Sequence, residues 1–375
     1  MSDRPIYLDY NATTPVAGAV FDRMRPWFTE DFANPASTHR LGQVALAAVQ
    51  EARAAVAGAL SVPANSVVFT SGATEASNLA IRGVTGPVVV AATEHKAVLD
   101  TAKAREFAVA SVDRRGRLDL DQLDRVARGA ALISIMLANN ETGVVHDLAT
   151  VVEIGRRHGC LVHTDATQAF GKIKLDLQEL GVDLASVSAH KIYGPKGIGA
   201  LYVRRGVTLD SVMTGGGHER GFRAGTLNVP GIVGFGVAAE RLQPAVEAVR
   251  SRALLDRFVS RLGSRESFVL HSDHRTGLPN TLSLRFPGAD AEAVIANAPE
   301  ICISAGSACT AAIPEPSHVL LAMGVPSDEA FESLRISVGA PTTDEEVDQA
   351  ALLLARSVRR VRELNASGVC EVAAS

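Results

Sequence analysis

The runs CLVHTD (160–165), LASVS (184–188) and GALYV (199–203) decide the fold, because each is short, apolar and followed by polar or flexible residues. Three similar runs precede them from Val67 onward: VVFTS, PVVVAA and ALISIMLA. Longer helix-like stretches separate all of these runs. Short buried strands that alternate with helices are typical of α/β proteins with a mostly parallel sheet. The sequence from Val67 to Val203 therefore predicts this fold class.

Helix-forming segments flank the predicted strands. The stretch LGQVALAAVQEARAAVAGAL (41–60) is rich in strong helix formers. A second stretch, LATVVEIGRRH, begins after Asp147, a favourable N-cap residue, and ends at Gly159. We predict that both segments are helices that pack against the sheet.

The pattern changes after the glycine cluster at 215–217. We predict a long helical stretch from about Gly231 to Leu262, then a strand within LPNTLSLRF and a helix near 290–297. This order indicates a second, smaller α+β domain.

A final helix is predicted within TTDEEVDQAALLLARSVRRVRELN (342–365). It opens with Thr and Glu at capping-box spacing and carries apolar residues at helical intervals. The tail from Ala366 lacks this period, so we expect it to fray.

Charge and hydrophobicity exclude several classes of function. The 375 residues include 37 Lys and Arg against 41 Asp and Glu, a formal net charge of −4. Such a chain has no bulk positive field to attract nucleic acid or anionic lipid, which favours a small-molecule ligand. No apolar run approaches the roughly 18 residues of a membrane span, and the start MSDRPIYLDYNATTP has no secretion-signal pattern. We expect a cytoplasmic protein without nucleic-acid or membrane partners.

The four cysteines differ in their surroundings. None forms a C-x-x-C pair or has zinc-site spacing, so neither a metal site nor a disulfide scaffold is predicted. Cys160 and Cys302 fit buried structural thiols, and Cys370 in the tail fits an incidental exposed thiol. Cys309 follows the small residues 304–308, which suit a thiol that must move and stay accessible.

Lys191 stands where the strand-like run of SVSAHKIYGPKGIGALYV (186–203) meets a turn rich in glycine and proline. A solvated surface lysine is the ordinary interpretation. However, ligands of parallel α/β folds bind at the carboxyl ends of strands, where a desolvated lysine can form a Schiff base. The position therefore favours a reactive amine.

Asp165 ends the run CLVHTD, and Gln168 follows three residues later. An aspartate here can pair with the protonated pyridine nitrogen of pyridoxal phosphate, or it can be the N-cap of the next helix. The 26 positions from Asp165 to Lys191 have room for a helix and a further strand, so both residues can stand at neighbouring strand ends.

Two further segments could bind a planar phosphorylated cofactor. In FTSGATEASNLAI (69–81) a helix N-terminus and the hydroxyls of Ser71 or Thr74 suit a phosphate, although a plain capping box explains the same residues. In EHKAVLD (94–100) the ring of His95 can stack and exchange protons, or it can form only an ordinary hydrogen bond.

Ten ordered blocks carry a family resemblance from residue 7 to about 348. The blocks are YLDYNATTP, NPASTH, FTSGATEASNLAI, EHKAVLD, NNETGVVHDL, HTDATQAFGK, SAHKIYGPKGIGALYVRR, GGGHERGFRAGTLNVP, ISAGSACTAAIPEPSHVL and LRISVG. The chain resembles cysteine desulfurases of the bacterial housekeeping and nitrogen-fixation type, within the class V aminotransferase-like, fold-type I pyridoxal phosphate enzymes. The resemblance implies a large cofactor domain (16–245) with a mostly parallel seven-stranded sheet. It also implies a small domain (1–15 and 246–375) that carries a mobile loop with the catalytic cysteine.

The resemblance also implies roles for single residues. Lys191 holds pyridoxal 5′-phosphate, Asp165 pairs with the pyridine nitrogen, and Gln168 donates to the phenolic oxygen. His95 stacks on the ring and is a candidate proton carrier. The remaining cofactor-binding residues are Ala73, Thr74, Ser188, His190 and, from the other subunit of a homodimer, Thr226.

For the substrate, the resemblance implies that Asn140 and Arg335 hold the carboxylate of L-cysteine, a task suited to the guanidinium fork. Cys309 accepts the sulfur as a persulfide, and L-alanine is the other product. The SACTAA loop, followed shortly by EPS, resembles that of the housekeeping subgroup with a longer mobile loop, which implies transfer to a protein acceptor such as an iron-sulfur scaffold. The alternatives of tRNA thiolation and DNA phosphorothioation stay open. We expect Asn11, at a position that varies among relatives, to have little bearing on the reaction.

Two alternatives stay open. A selenocysteine lyase, a kynureninase-like hydrolase or a small-substrate aminotransferase would share Lys191 and Asp165 without requiring a cysteine loop ahead of Arg335. A nucleotide-binding module without catalysis would use the glycines at 215–217. No G-x-G-x-x-G follows the first strand and no Walker lysine is present, so this signal is poor.

Overall fold

The computed structural model describes residues 4–263, 266–305 and 315–372, with side chains as far as Ser367. Within these residues the strands are β1 (Ile6–Tyr7), β2 (Val67–Thr70), β3 (Val88–Ala91), β4 (Phe107–Ala110), β5 (Leu132–Ser134), β6 (Leu161–Asp165), β7 (Leu184–Ser188), β8 (Gly199–Val203), β9 (Val269–Leu270), β10 (Thr281–Arg285), β11 (Ile301–Cys302) and β12 (Ser333–Ser337).

The α-helices of the same residues are α1 (Gly18–Met24), α2 (Pro26–Thr29), α3 (Arg40–Ala59), α4 (Ala73–Arg82), α5 (Lys96–Lys103), α6 (Leu120–Val126), α7 (Leu148–His158), α8 (Leu177–Leu180), α9 (Val229–Glu240), α10 (Pro244–Gly263), α11 (Ala291–Ala296), α12 (His318–Ala322), α13 (Ser327–Phe331) and α14 (Asp344–Val372). Short 3-10 turns lie at Ala64–Ser66, Ala189–Lys191 and His218–Gly221.

Seven strands form one sheet in the order β2-β8-β7-β6-β5-β3-β4. The five strands from β7 to β4 run parallel, whereas β8 runs antiparallel to both of its neighbours. In the register, Asp165 pairs with Ser186, and Ser188 pairs with Gly199. The predicted α/β class with a mostly parallel seven-stranded sheet is confirmed.

Both faces of this sheet are covered by helices. Alternate residues of a strand point to opposite faces, so Phe69 joins a core with α3, α7 and α9, and Val68 joins another with α4 and α5. The predicted helices at 41–60 and after Asp147 are confirmed as α3 and α7. The Asp147 side chain accepts from the Thr150 amide, and Gly159 ends α7 in the left-handed region at φ +72°.

A smaller antiparallel sheet, in the order β12-β10-β9, lies with α10, α11 and α14 around a core of its own. The N-terminal strand β1 pairs in parallel with β11 beside it. The long helical stretch predicted from about Gly231 to Leu262 is confirmed as two helices, α9 and α10, with a break at 241–243. Pro244 has no amide hydrogen and disfavours helical geometry in the residue before it, which explains the break.

The last helix begins as the capping-box spacing predicts. The Glu346 amide donates to Thr343 Oγ1 at 3.2 Å, and the Thr343 amide donates to Glu346 Oε2 at 2.9 Å. The helix then continues to Val372, so the expectation that the tail frays from Ala366 is wrong for this stretch. Among the described residues, no helix is both long and apolar enough to cross a membrane.

Candidate active site

A cavity of about 1070 Å³ opens at the carboxyl edge of the seven-stranded sheet. Residues that follow neighbouring parallel strands meet at this edge, which is where parallel α/β sheets place their ligand sites. The predicted site residues that line the cavity are Ala73, Thr74, His95, Asn140, Asp165, Gln168, Ser188, His190, Lys191 and Arg335.

Lys191 lies in the short 3-10 turn that directly follows β7. Its Nζ donates to the carbonyl oxygen of Asn11 at 2.6 Å and to that of Ala12 at 2.7 Å. The interpretation as a solvated surface lysine is therefore wrong, because the amine is directed against backbone of the N-terminal segment at the cavity wall.

Asp165 is the last residue of β6 and is only 8% exposed. Its Oδ1 accepts from the Thr167 amide at 2.9 Å, and the next α-helix begins only at Leu177, so the helix-cap interpretation is wrong. Gln168 Nε2 donates to the Asn11 carbonyl at 2.9 Å. The hydroxyl of Thr167 is buried without a hydrogen-bond partner in the described part of the chain.

The N-terminus of α4 lies at the same cavity, and no side chain in the described part of the chain caps it. The capping-box interpretation is only half realised: Glu75 Oε2 accepts from the Ser71 amide at 2.7 Å, but no hydroxyl caps the helix. The Glu75 carboxylate also pairs with Arg223 at 2.8 Å. The free amides at Ala73 and Thr74 thus leave a place for an anion.

His95 combines both of the roles considered for it. It is the N-cap of α5, where its Nδ1 accepts from the Ala97 amide at 3.1 Å, and its ring lines the cavity. Burial lowers the pKa of His95, although the nearby Asp165 carboxylate acts in the opposite direction. Because Nδ1 accepts, the neutral ring carries its proton on Nε2.

His190 and Ser188 lie at the end of β7, beside Lys191. His190 Nδ1 lies 3.1 Å from Thr13 Oγ1, and burial, with the neighbouring lysine ammonium, lowers the pKa of His190 to about 4. The ring is therefore neutral near pH 7. Among the described residues, Ser188 Oγ makes one long contact, to the Ile198 carbonyl at 3.5 Å, which leaves its hydroxyl available to a ligand.

Arg335 on β12 forms the opposite wall. It is 6% exposed, its Nη2 pairs with Asp9 Oδ1 at 2.6 Å, and its Nη1 donates to the Asn140 carbonyl at 3.2 Å. Its Nε is buried and has no hydrogen-bond partner among the described residues. A buried guanidinium with an open donor fits a carboxylate ligand.

Sequence reasoning missed several polar residues around this cavity. Lys172 lies within the quoted block HTDATQAFGK, and its Nζ donates to Asn11 Oδ1 at 2.8 Å and to Gln168 Oε1. The sequence feature that could have identified Lys172 is its spacing: it follows Gln168 by four residues and so lies on the same side of a turn. The backbone carbonyl of Asn11 accepts from Lys191 and Gln168, and its side chain accepts from Lys172, so this residue belongs to the site. The expectation that it has little bearing on the reaction stays a prediction.

A second missed group connects the start of α12 to the cavity wall. Ser317, the N-cap of α12, donates to the buried Glu141 carboxylate at 2.5 Å. His318 Nε2 donates to the Glu94 carbonyl at 2.9 Å. Burial raises the pKa of Glu141. The partners are 176 and 224 residues apart, so no local sequence pattern could have paired them.

Other predicted residues lie away from the cavity or outside the described residues. Thr226 is exposed and is not part of the cavity lining, and its role stays a prediction. Cys309 lies outside the described residues. Cys160 is buried, as predicted, with its thiol directed at the carbonyls of Ala127 and Ala130, and Cys302 is half-buried. Within the described residues no group of three His, Cys, Asp or Glu side chains could hold a metal ion.

The donor set fits pyridoxal 5′-phosphate. The Lys191 amine suits its aldehyde, the Asp165 carboxylate suits its pyridine nitrogen, and the uncapped start of α4 suits its phosphate. All three groups line one cavity, so a single planar cofactor can contact them together.

Comparisons with known proteins agree with this geometry. Residues 6–350 match the family described as "Aminotransferase class-V". "Cysteine desulfurase IscS" of Anaeromyxobacter sp. (strain Fw109-5) is 47% identical over 96% of this chain and 94% of its own. A solved "NifS-like protein" has a TM-score of 0.87 at 35% identity, covering 96% of this chain and 99% of that one. "SspA in complex with cysteine" has a TM-score of 0.80 at 35% identity, covering 88% and 98%. The chain therefore belongs to the class-V aminotransferase family, and within it to the cysteine desulfurases.

Proposed function

We propose that this protein is a pyridoxal 5′-phosphate-dependent cysteine desulfurase that converts L-cysteine to L-alanine and carries the sulfur as a persulfide on Cys309. One observation carries the proposal: the Lys191 amine, the Asp165 carboxylate, the uncapped start of α4 and the open donor of Arg335 share one cavity. The similarity to cysteine desulfurases over 96% of the chain supports the same activity.

The cofactor, when bound, supplies an electron sink that makes the Cα proton of an amino acid removable. Lys191 would hold it covalently, Asp165 would pair with its pyridine nitrogen, and Gln168 would donate to its phenolic oxygen. The residues that would bind the phosphate are Ala73, Thr74, Ser188, His190 and, from a second subunit, Thr226.

The opposite wall would bind and orient the substrate. Arg335 Nε is the open donor, and Asp9 and the Asn140 carbonyl already hold the other two nitrogens of the guanidinium in place. A carboxylate bound there would be fixed by a group that needs no reorganisation. The Asn140 side chain would complete the carboxylate site.

Proton handling falls to two side chains on the sheet side. Lys191 Nζ, once free of the cofactor, is the amine that would take the Cα proton. The lowered pKa of His95 keeps its ring neutral near pH 7, with the proton on Nε2 available to the substrate.

Sulfur transfer requires a nucleophile, which we assign to Cys309. Its thiolate would attack the substrate sulfur, so that an S–S bond forms while the Cβ–S bond breaks. The electron pair of the broken bond stays with the carbon skeleton, which takes up a proton and leaves as alanine.

A spectroscopic and a chemical measurement test this function. Purified protein should be yellow, lose its visible absorbance on borohydride reduction, and form alanine from cysteine. The variant C309S should keep the absorbance and lose persulfide formation, whereas C302S should keep both. A protein that stays colourless after reconstitution contradicts the function. Alanine release by C309S at the wild-type rate in a single turnover contradicts the assignment of the nucleophile.

Assembly and partners extend the same proposal. We infer a homodimer in which Thr226 reaches the partner's cofactor phosphate, because this residue is exposed, and Arg223 in the same segment pairs with Glu75 at the start of α4. Gel filtration should give twice the chain mass, and T226A should weaken cofactor binding.

The sulfur acceptor would be a protein such as an iron-sulfur scaffold, and the location would be the cytoplasm.

The proposed domain boundaries are 16–245 for the large domain and 1–15 with 246–375 for the small one. Separate hydrophobic cores support this division: two lie on the faces of the large sheet, and another combines Ile6 and Leu8 with residues between 254 and 361. Limited proteolysis near residue 245 tests it.

A further inference from the structure

Lys172 is a half-buried lysine whose amine is held by amide oxygens rather than by a carboxylate. Its Nζ donates to Asn11 Oδ1 at 2.8 Å and to Gln168 Oε1, and in the described part of the chain it forms no ion pair. Burial, with the nearby charges of Lys191 and Arg335, holds the pKa of Lys172 well below its usual value. An amine kept in such surroundings needs an explanation other than charge pairing.

The amide of Asn11 is oriented by acceptors. Its Nδ2 donates to Thr281 Oγ1 at 2.8 Å and to the Asn140 carbonyl at 3.1 Å, so its Oδ1 must face Lys172. The Lys172 amine is thereby fixed as a donor, with a defined position beside Gln168.

The amide of Gln168 is then oriented from both ends. Its Oε1 accepts from Lys172, and its Nε2 donates to the Asn11 carbonyl, which can only accept. One hydrogen on Nε2 is left over, and Gln168 lines the cavity. A reversed amide would lose both of these hydrogen bonds.

We propose that Lys172 is a positioning residue that locks the Gln168 amide so that its nitrogen, and not its oxygen, faces the phenolic oxygen of the cofactor. This inference rests on the proposed function. Lys172 does not line the cofactor cavity, so it would act only through Gln168.

The space around Lys172 allows it to be replaced. It lies between the active-site residues and a second cavity of about 620 Å³, which Lys191 also lines. The charged or titratable groups around Lys172 or across that cavity are Lys191, His190, Arg335, Arg241, Glu247, Tyr10 and Tyr193. Lys172 takes part in neither of the two lysine–carboxylate ion pairs of the described residues. Methionine, which has a similar length, therefore removes the donor without breaking an ion pair.

The test compares the holoenzyme with K172M, K172R and, as a matched control, K174M. Lys174 is two residues away and exposed, paired only with Glu179 at 3.5 Å. Loss of the donor to the phenolic oxygen should raise the pH midpoint of the visible absorbance by about one unit and weaken cofactor binding about tenfold in K172M. K172R, which keeps a donor, and K174M should stay close to the wild type.

Repeating K172M in a protein that also carries Q168L separates action through Gln168 from a general charge effect. If the inference holds, K172M shifts the midpoint in the wild-type background and has no further effect in Q168L. An equal shift in both backgrounds, or no shift in either, overturns it. If K172M does not fold, K172Q in the same two backgrounds replaces it. A wild type without visible absorbance contradicts the proposed function, whereas a yellow wild type with an unmoved K172M contradicts only this inference.

Discussion

The two walls of the cavity are built in different ways. The sheet wall consists of His95, Asp165, Ser188 and Lys191, each of which stands at or just after the end of a parallel strand. The opposite wall includes Asn11 and Arg335, and Arg335 forms an ion pair with Asp9, 326 positions away in sequence. One wall follows from strand topology, whereas the other depends on polar contacts between distant segments. The walls should therefore fail differently when they are mutated.

The largest effect is expected on the sheet wall. Lys191→Ala removes the amine that would hold the cofactor and take the Cα proton, so kcat/KM for cysteine should fall at least about a thousandfold. The visible absorbance of the bound cofactor should disappear as well. Lys103→Ala, which removes an exposed lysine paired with Asp100, is the control. A yellow and active K191A protein would assign the cofactor to another residue.

On the opposite wall, Arg335→Lys should affect substrate and not cofactor. Lysine cannot keep contacts to Asp9 and the Asn140 carbonyl while it donates to a carboxylate, so kcat/KM should fall about a hundredfold. The visible absorbance and the affinity for the cofactor should stay unchanged. Arg356→Lys, at an exposed pair with Glu300, should match the wild type. Loss of cofactor from R335K would show that the two walls do not act separately.

The same difference explains what the sequence could predict. Short apolar runs specify the strands, and parallel strands carry their ligands at their carboxyl ends, so Asp165 and Lys191 were accessible to that reasoning. The ring of His95 was accessible too, because it follows the strand-like run before EHKAVLD.

The opposite wall was less accessible. The resemblance assigned Arg335, but no pattern within one sequence pairs it with Asp9 or places Asn11 among Lys172, Gln168 and Lys191. Such contacts arise only when the N-terminal segment packs between the two sheets. The break before Pro244 has a different cause, because proline lacks an amide hydrogen and disfavours helical geometry in the residue before it.

Asn11→Ala tests how the walls are joined. The side chain donates to Thr281 and accepts from Lys172 and Asn280, and these buried partners would lose a hydrogen bond. The free energy of unfolding should fall by about 2 kcal/mol, measured by urea denaturation. Asn365→Ala, an exposed residue on α14, should change it by less than about 0.5 kcal/mol. An equally small effect for N11A would mean that the walls are held together elsewhere.

The smallest expected effect is on the pH dependence of stability, and it arises from a histidine inside the large sheet. His163 on β6 is fully buried between the hydroxyls of Ser134 at 2.7 Å and Ser186 at 2.8 Å. Burial lowers its pKa to about 4, although Asp165 acts in the opposite direction. Between pH 6.5 and 4 the unfolded chain binds a proton that the folded chain excludes, so stability falls as the pH drops.

This one histidine should contribute a slope of at most about 1.4 kcal/mol per pH unit, present in the wild type and absent from His163→Asn. Asparagine can keep hydrogen bonds to both serines but does not titrate. Burial lowers the pKa of His146, His190 and His271 to about 4 as well, so H163N should flatten the profile only in part. Urea unfolding at pH 7, 6 and 5 measures the slope. If H163N loses stability as steeply as the wild type, His163 is not the source of the acid sensitivity, which then arises at other buried groups such as these three histidines.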